Sequence, residues 1–309
     1  MKILILLPSW LGDAIMTTPA IENIVDFYHK PEITLIGSSV SIEALKNHPK
    51  VIKSYVLEKN YKSLIKIAIN LESFDAFFLF RGSLRSKILK LLITSKNKYQ
   101  FNKIKYQKRH QVEKYNDFAS DSLNKNFNAG KLIIYPSLKT INFNSKPTVG
   151  INPGGAYGNA KRWYPEEFAQ VAAELSIKYE VIIFGGPGEK DIAKDIENLL
   201  IEKSVMNYSN LAGSISIEEL ISRISTLDLF ITGDSGPMHI AASFQIPTIA
   251  IFGPTKPDET SQWEVEKSNI VKQNLECQPC MQRTCPLIHH DCMKLIKAAD
   301  VLKAAQSFN

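Results

Sequence analysis

Short apolar runs with no polar face alternate along the chain with stretches of helical periodicity. Lys2–Leu7 predicts a strand buried on both faces, as in a parallel sheet. Ala14–Tyr28 predicts a helix, with Pro19 either opening it behind a Thr18 cap or kinking it. Strands are predicted at Ile33–Ile36, Val51–Val56 and Asp75–Phe80, and helices at Ser41–Lys46, Tyr61–Leu71 and Leu84–Leu92, the last rich in Leu, Ile and Lys. Around Asn124–Lys146 the pattern loosens into Asn, Lys and Ser, the best candidate for a linker. The rhythm then restarts. Strands are predicted at Thr148–Asn152, Val181–Phe184, Leu229–Ile231 and Thr248–Phe252. Helices are predicted at Pro165–Lys178, Glu189–Leu200, Ile217–Ser225 and Pro237–Phe244, and an amphipathic helix without a strand partner follows Cys292. Such alternation predicts two consecutive doubly wound α/β domains, with ligands outside the carboxyl ends of the strands.

Length agrees with that division, since 309 residues suit about two domains of ~100–200 residues. The composition, 44% hydrophobic and 22% charged, is that of a soluble globular chain and excludes fibrous or disordered classes. No apolar run approaches the ~20 residues of a spanning helix. The start imitates a signal peptide, but Pro8 ends the run early and Asp13 follows, so a strand and a cytoplasmic location are expected. Four cysteines there are expected as thiols or ligands rather than disulfides. Net charge is +6, but it is unevenly spread. Residues 1–150 carry 23 Lys and Arg against 11 Asp and Glu, and residues 151–309 carry 14 against 20. Between Arg81 and Lys114 there are eleven basic residues and one acid, Glu113. The first half therefore suits an acidic partner such as nucleic acid, an anionic lipid surface or a phosphorylated glycolipid, unless the run is only a solvated face.

The fingerprints G-x-G-x-x-G and G-x-x-x-x-G-K-[ST] are both absent, which weakens dehydrogenase and P-loop readings. Gly185-Gly186-Pro187-Gly188 follows a strand and precedes a helix, where a tight turn or a ligand would serve equally. A sharper element is Thr232-Gly233-Asp234-Ser235-Gly236-Pro237-Met238-His239, a strand end, a small-residue turn and a helix start. It reads as a diphosphate cradle with His239 as an extra donor, or as a helix capped by Asp234 or Ser235 with His239 on the surface. Asn152 through Trp163 also joins a strand to a helix, with Gly154 and Gly155 allowing close backbone approach and Lys161 supplying a mobile cation, or ends in a solvated Lys-Arg pair. In the loop after the first strand, Asp13 is either a helix cap or a base at the top of the sheet. Cys277-x₂-Cys280-x₄-Cys285-x₆-Cys292, with His289 and His290 inside, has spacing that could hold Zn²⁺ or simply pack as reduced thiols.

Three segments together resemble the ADP-heptose:lipopolysaccharide heptosyltransferases: Leu7-Pro8-Ser9-Trp10-Leu11-Gly12-Asp13-Ala14, Ala160-Lys161-Arg162-Trp163 and Gly233-Asp234-Ser235-Gly236-Pro237-Met238-His239. Pro-Ser-Trp before Gly-Asp and the Cys-Pro-x-x-His-His-Asp-Cys-Met segment are more similar to the heptosyltransferase II branch than to I. The resemblance implies a GT-B fold, two facing Rossmann-like domains with an interdomain cleft. Residues 1–146 would bind the acceptor and residues 147–309 the nucleotide-sugar, the last helix returning to the first domain.

The reaction implied is transfer of L-glycero-D-manno-heptose from ADP-heptose to the heptosyl-Kdo-lipid A inner core, with inversion. Asp13 matches the family's catalytic aspartate. Donor binding would fall to Gly154, Gly155, Lys161, Glu189 at the ribose, Leu211 and Gly213 near adenine, and Asp234, Ser235, Gly236 and His239 at the diphosphate. Acceptor binding would fall to Ser9, Trp10, Gly12, Arg81 and Arg85. No Asp-x-Asp motif occurs, so catalysis without metal or other cofactor is expected. The expected protein is a monomer on the cytoplasmic face of the inner membrane that binds no nucleic acid. Another heptosyltransferase step, I or III, a different nucleotide-sugar transferase or epimerase, and a nucleic-acid module built on Arg81–Lys114 are the alternatives.

Overall fold

Eleven strands form two wholly parallel sheets in a computed structural model that describes residues 1–136 and 146–308. The chain divides into two compact units, Met1–Ser137 and Leu138–Asn309.

In the first unit β1 (Lys2–Leu6), β2 (Glu32–Gly37), β3 (Val51–Val56), β4 (Phe74–Leu79) and β5 (Ser95–Gln100) lie in the order β3-β2-β1-β4-β5. Their connections are α1 (Leu11–Met16), α2 (Thr18–Phe27), α3 (Ser39–Leu45), α4 (Tyr61–Asn70) and α5 (Leu84–Leu92), and α6 (Gln111–Leu123) follows β5. The central strands are apolar on both faces because helices cover both, whereas β3 and β5 at the edges are half exposed. Leu4, Leu6, Leu64, Phe77 and Leu89 form one core.

The expected helix over Ala14–Tyr28 is two helices. Thr17 ends α1 and begins α2, where Pro19 occupies the first turn that needs no N–H donor. Residues 124–136 are not a loose linker either. Leu132 and Ile134 are buried, and the Ile133 N–H donates to Thr18 Oγ1 at 3.0 Å. The rest of the expected linker, 137–145, lies outside the described residues.

The second unit contains β6 (Thr148–Asn152), β7 (Glu180–Ile183), β8 (Tyr208–Asn210), β9 (Leu229–Gly233), β10 (Thr248–Phe252) and β11 (Ser268–Lys272), in the order β11-β10-β9-β6-β7-β8. Around them pack α7 (Pro165–Ser176), α8 (Lys190–Glu202), α9 (Ile217–Ile224) and α10 (Gly236–Ser243), followed by α11 (Pro257–Thr260), α12 (Asp291–Lys294) and α13 (Ala298–Gln306). The last helix finds its partners in this unit. Ala298 and Val301 are buried in the core that holds Val149, Ile231 and Ile251. Among the described residues no helix is long and apolar enough to cross a membrane.

Both sheets reverse their winding once. The switch lies between β1 and β4 in the first unit and between β6 and β9 in the second, where two neighbouring strands send their chains to opposite faces and open a crevice at their carboxyl ends.

Candidate active site

The second switch point carries the strongest chemistry. Asn152 ends β6 in register with Thr232 of β9, and its Nδ2 donates to Thr232 Oγ1 at 3.2 Å and to Ser235 Oγ at 3.0 Å. Ser235 is the N-cap residue of α10, yet its side chain makes no capping bond to that helix. Eight residues of aligned peptide dipoles thus end at a turn whose N-cap side chain accepts none of the first amides, an arrangement suited to an anion. His239, in the helix that follows, is buried rather than on the surface.

Lys161 reaches this turn from a one-turn 3₁₀ segment, Asn159–Lys161. Its Nζ donates to Asp234 Oδ2 at 2.5 Å and to the Asp234 carbonyl at 3.2 Å, and lies 4.9 Å from the Tyr157 ring centroid. Thr255 Oγ1 donates to the same carboxylate oxygen at 2.6 Å. With side-chain exposures of 13% for Lys161 and 7% for Asp234, this is a held ion pair and not the mobile cation expected. Asp234 therefore orients the cation instead of capping α10. Sequence reasoning had Asn152 and Thr232 at the head of the two loop motifs without giving either a role, and it missed Thr255, which lies beyond the end of β10.

Glu189 lies beside these loops. Its Oε2 accepts the Gly186 N–H at 2.5 Å, and a Cβ added to Gly154 would come within 2.3 Å of its carboxyl carbon. Gly154 is thus what admits the carboxylate between the loops after β6 and β7. The Leu211 N–H donates to the Ile183 carbonyl at 2.9 Å and the Gly213 N–H to the Gly185 carbonyl at 2.8 Å, the latter with φ of +65°. Glu189, Gly185, Leu211 and Gly213 consequently form one continuous shelf along β7 and β8.

The cysteine segment packs against the Lys161 loop, although the sequence set it apart. The Tyr157 hydroxyl donates to the Met281 carbonyl at 2.7 Å, and the Ala160 N–H to the Arg283 carbonyl at 3.0 Å. A Cβ on Gly158 would lie 2.4 Å from that carbonyl. His290 Nε2 lies 3.0 Å from the Ala160 carbonyl and Nδ1 lies 3.1 Å from the Tyr164 hydroxyl, so the ring donates through Nε2 and accepts through Nδ1 when neutral. Cys277, Cys280, Cys285 and Cys292 are all free thiols, and burial, with the other three thiols close by, pushes Cys292 up to about 11. Among the described residues no group of three or more His, Cys, Asp or Glu is placed to hold a metal ion.

The first switch point brings together Ser9, Trp10, Asp13 and Arg81. Asp13 is in the first turn of α1 and does not cap it; the cap position is Trp10, whose ring is exposed. Gly12 is buried beside it. Arg81 follows β4 and donates from Nη1 to Ser9 Oγ at 2.5 Å, while its buried Nε has no hydrogen-bond partner among the described residues. Burial, and the nearby Arg85 cation, push the Arg81 guanidinium down to about 10. Arg85 itself donates to the Glu58 and Asn60 carbonyls at 2.6 and 3.1 Å and lies over the Tyr61 ring. The buried Tyr115 phenol of α6 is held well above its ordinary range by burial and then by the charge of Asp13.

Residues 65–290 match glycosyltransferase family 9 (heptosyltransferase). The chain belongs to this family. It is 40% identical to lipooligosaccharide heptosyltransferase 2 of Campylobacter jejuni serotype O:2, over 99% of this chain and 98% of that protein. Among solved structures, the ADP-heptose lipopolysaccharide heptosyltransferase II of E. coli superposes with a TM-score of 0.81 at 21% identity, covering 99% of this chain and 98% of that one. The E. coli heptosyltransferase WaaC with ADP superposes at 0.80 with 15% identity over the full length of both. This family 9 glycosyltransferase accordingly has the two Rossmann-like units of the GT-B fold that the motifs predicted.

Proposed function

We propose that this glycosyltransferase transfers L-glycero-D-manno-heptose from ADP-heptose to the heptosyl-Kdo-lipid A inner core of lipopolysaccharide or lipooligosaccharide, inverting the anomeric carbon. The observation that carries this reading is the start of α10 at the second switch point, where the Ser235 side chain makes no capping bond and the Lys161 ammonium is held at the same turn. Such a turn suits a diphosphate. Asp234, Ser235, Gly236 and His239 would surround it, with Gly154 and Gly155 admitting the backbone approach, Glu189 binding the ribose and Leu211 and Gly213 the adenine.

Asp13 takes the proton of the acceptor hydroxyl as that oxygen bonds to the anomeric carbon. The bond from this carbon to the β-phosphate oxygen breaks, and its electron pair leaves with ADP. Lys161, His239 and the α10 end meet the charge that grows on the leaving group. An arriving diphosphate competes with Asp234 for the Lys161 ammonium. Acceptor binding belongs to Ser9, Trp10, Gly12, Arg81 and Arg85, where Arg81, with an unpartnered Nε beside a second cation, suits a carboxylate or phosphate.

Catalysis is read as metal-independent because Lys161, His239 and the helix end occupy the role that an Asp-x-Asp-bound metal plays elsewhere. The enzyme is read as a monomer of the cytoplasm, peripheral to the inner membrane. Calorimetric titration separates this donor from the alternative of another nucleotide-sugar. ADP-heptose should bind at least tenfold more tightly than UDP- or GDP-sugars, and equal affinities would remove the ADP-heptose reading.

A further inference from the structure

We propose that the outer faces of α4 and α5 form the surface on which this enzyme docks to an anionic phospholipid bilayer. The inference deepens the peripheral-membrane reading by naming the face. On α4, Tyr61, Ile65 and Ile69 recur at four-residue spacing, which places them in one stripe, and all three are exposed, Ile69 by 77%. On α5, Leu84 and Leu91 are two turns apart and are exposed by 69% and 81%. The two helices are neighbours, and Arg85 ties their starts together through the Glu58 and Asn60 carbonyls. Core contacts do not explain the stripes, since Leu64, Ile67 and Leu89 point inward and already supply them.

Charge selects the occupant. α4 carries Lys62 and Lys66, α5 carries Arg85, Lys87 and Lys90, and neither helix contains an acidic residue. Exposed apolar stripes on two helices whose charged residues are all cations match an interface of acyl chains below anionic headgroups. A second copy of this chain fits poorly, because an isologous contact would set like cations against each other. At the N-terminal end of α5 the same surface leads to Arg81, the residue read as meeting an acidic acceptor.

The test is flotation of the full chain with vesicles of phosphatidylglycerol and phosphatidylcholine against phosphatidylcholine alone, without donor or acceptor. Wild-type protein should float with the anionic vesicles and not with the neutral ones. The double variant Ile69→Ser/Leu91→Ser should lose most of that binding. Lys62→Gln/Lys66→Gln should weaken it by about 25-fold, at about fivefold per lysine near an anionic surface. Since all four positions are exposed, melting temperatures should stay at the wild-type value. Turnover on a short-chain, water-soluble acceptor should also persist, which keeps a failure of docking distinct from a failure of the transfer reading. Wild-type flotation that both variants retain, no flotation of the wild type, or a concentration-dependent dimer that the Ile69→Ser/Leu91→Ser variant abolishes would each overturn the proposal.

Discussion

Replacing Lys161 with alanine should lower stability and donor affinity together, for separable reasons. The Asp234 carboxylate is 7% exposed and loses the partner at 2.5 Å, keeping only Thr255 Oγ1 at 2.6 Å. Removing one member of a buried ion pair costs ~3–5 kcal/mol, and the remaining hydroxyl puts the expected loss near the lower end, ~3 kcal/mol. For a domain of this size that is roughly 6–12 °C in Tm. Because the penalty comes from the stranded carboxylate, Lys161→Met combined with Asp234→Asn should cost less than Lys161→Ala alone. A double-mutant cycle in urea should then give a coupling energy of about 2 kcal/mol or more. Separately, loss of a charge-assisted contact to the diphosphate should raise the Kd for ADP by about 10- to 100-fold in calorimetry. The double variant should regain stability without regaining ADP affinity. Additive stability changes across the cycle, or wild-type ADP affinity in Lys161→Ala, would refute the placement of this pair at the donor site.

Three further outcomes are expected. Arg81→Gln should raise the acceptor KM at least tenfold with the donor KM unchanged, and added salt should raise the acceptor KM of the wild type more than its donor KM; equal salt sensitivity would return the basic first half to a solvated face. Cys292, raised from 9.0 to about 11, favours the protonated thiol in the folded state, so its contribution to stability is complete below pH 9 and is lost as pH rises through 11. Denaturation midpoints should therefore fall less over that window in Cys292→Ala, and an identical slope would contradict the burial of the thiol. Turnover should survive EDTA, whereas loss restored by Mg²⁺ or Mn²⁺ would require a metal in the mechanism.

Much of the fold is legible in the chain because parallel sheets bury their central strands on both faces. Thr148–Asn152 and Thr248–Phe252 match their predicted limits for that reason. The strands that escaped notice are edges. Ser95–Gln100, Tyr208–Asn210 and Ser268–Lys272 are largely polar and half exposed, so they carry no long apolar run. Gln111–Leu123 was hidden differently. Its apolar positions Val112, Tyr115, Phe118 and Ala119 follow helical spacing, but the segment leading into it is dominated by lysines and arginines. In the site, the glycine-rich turns and Lys161 are legible because they are clustered. Thr255 is not, since only the fold brings its hydroxyl to the Asp234 carboxylate.

The role of Asp13 is the claim on which the transfer mechanism turns. Wild-type enzyme incubated with ADP-heptose and heptosylated Kdo-lipid A should yield, by mass spectrometry, an acceptor heavier by one heptosyl residue. Asp13→Asn keeps the size of the side chain in the first turn of α1 but cannot take the hydroxyl proton. Its turnover should fall about 10²- to 10⁴-fold, with ADP affinity and melting temperature at wild-type values. Near-normal turnover in a folded Asp13→Asn enzyme, or no heptosylated product from the wild type, would contradict the account.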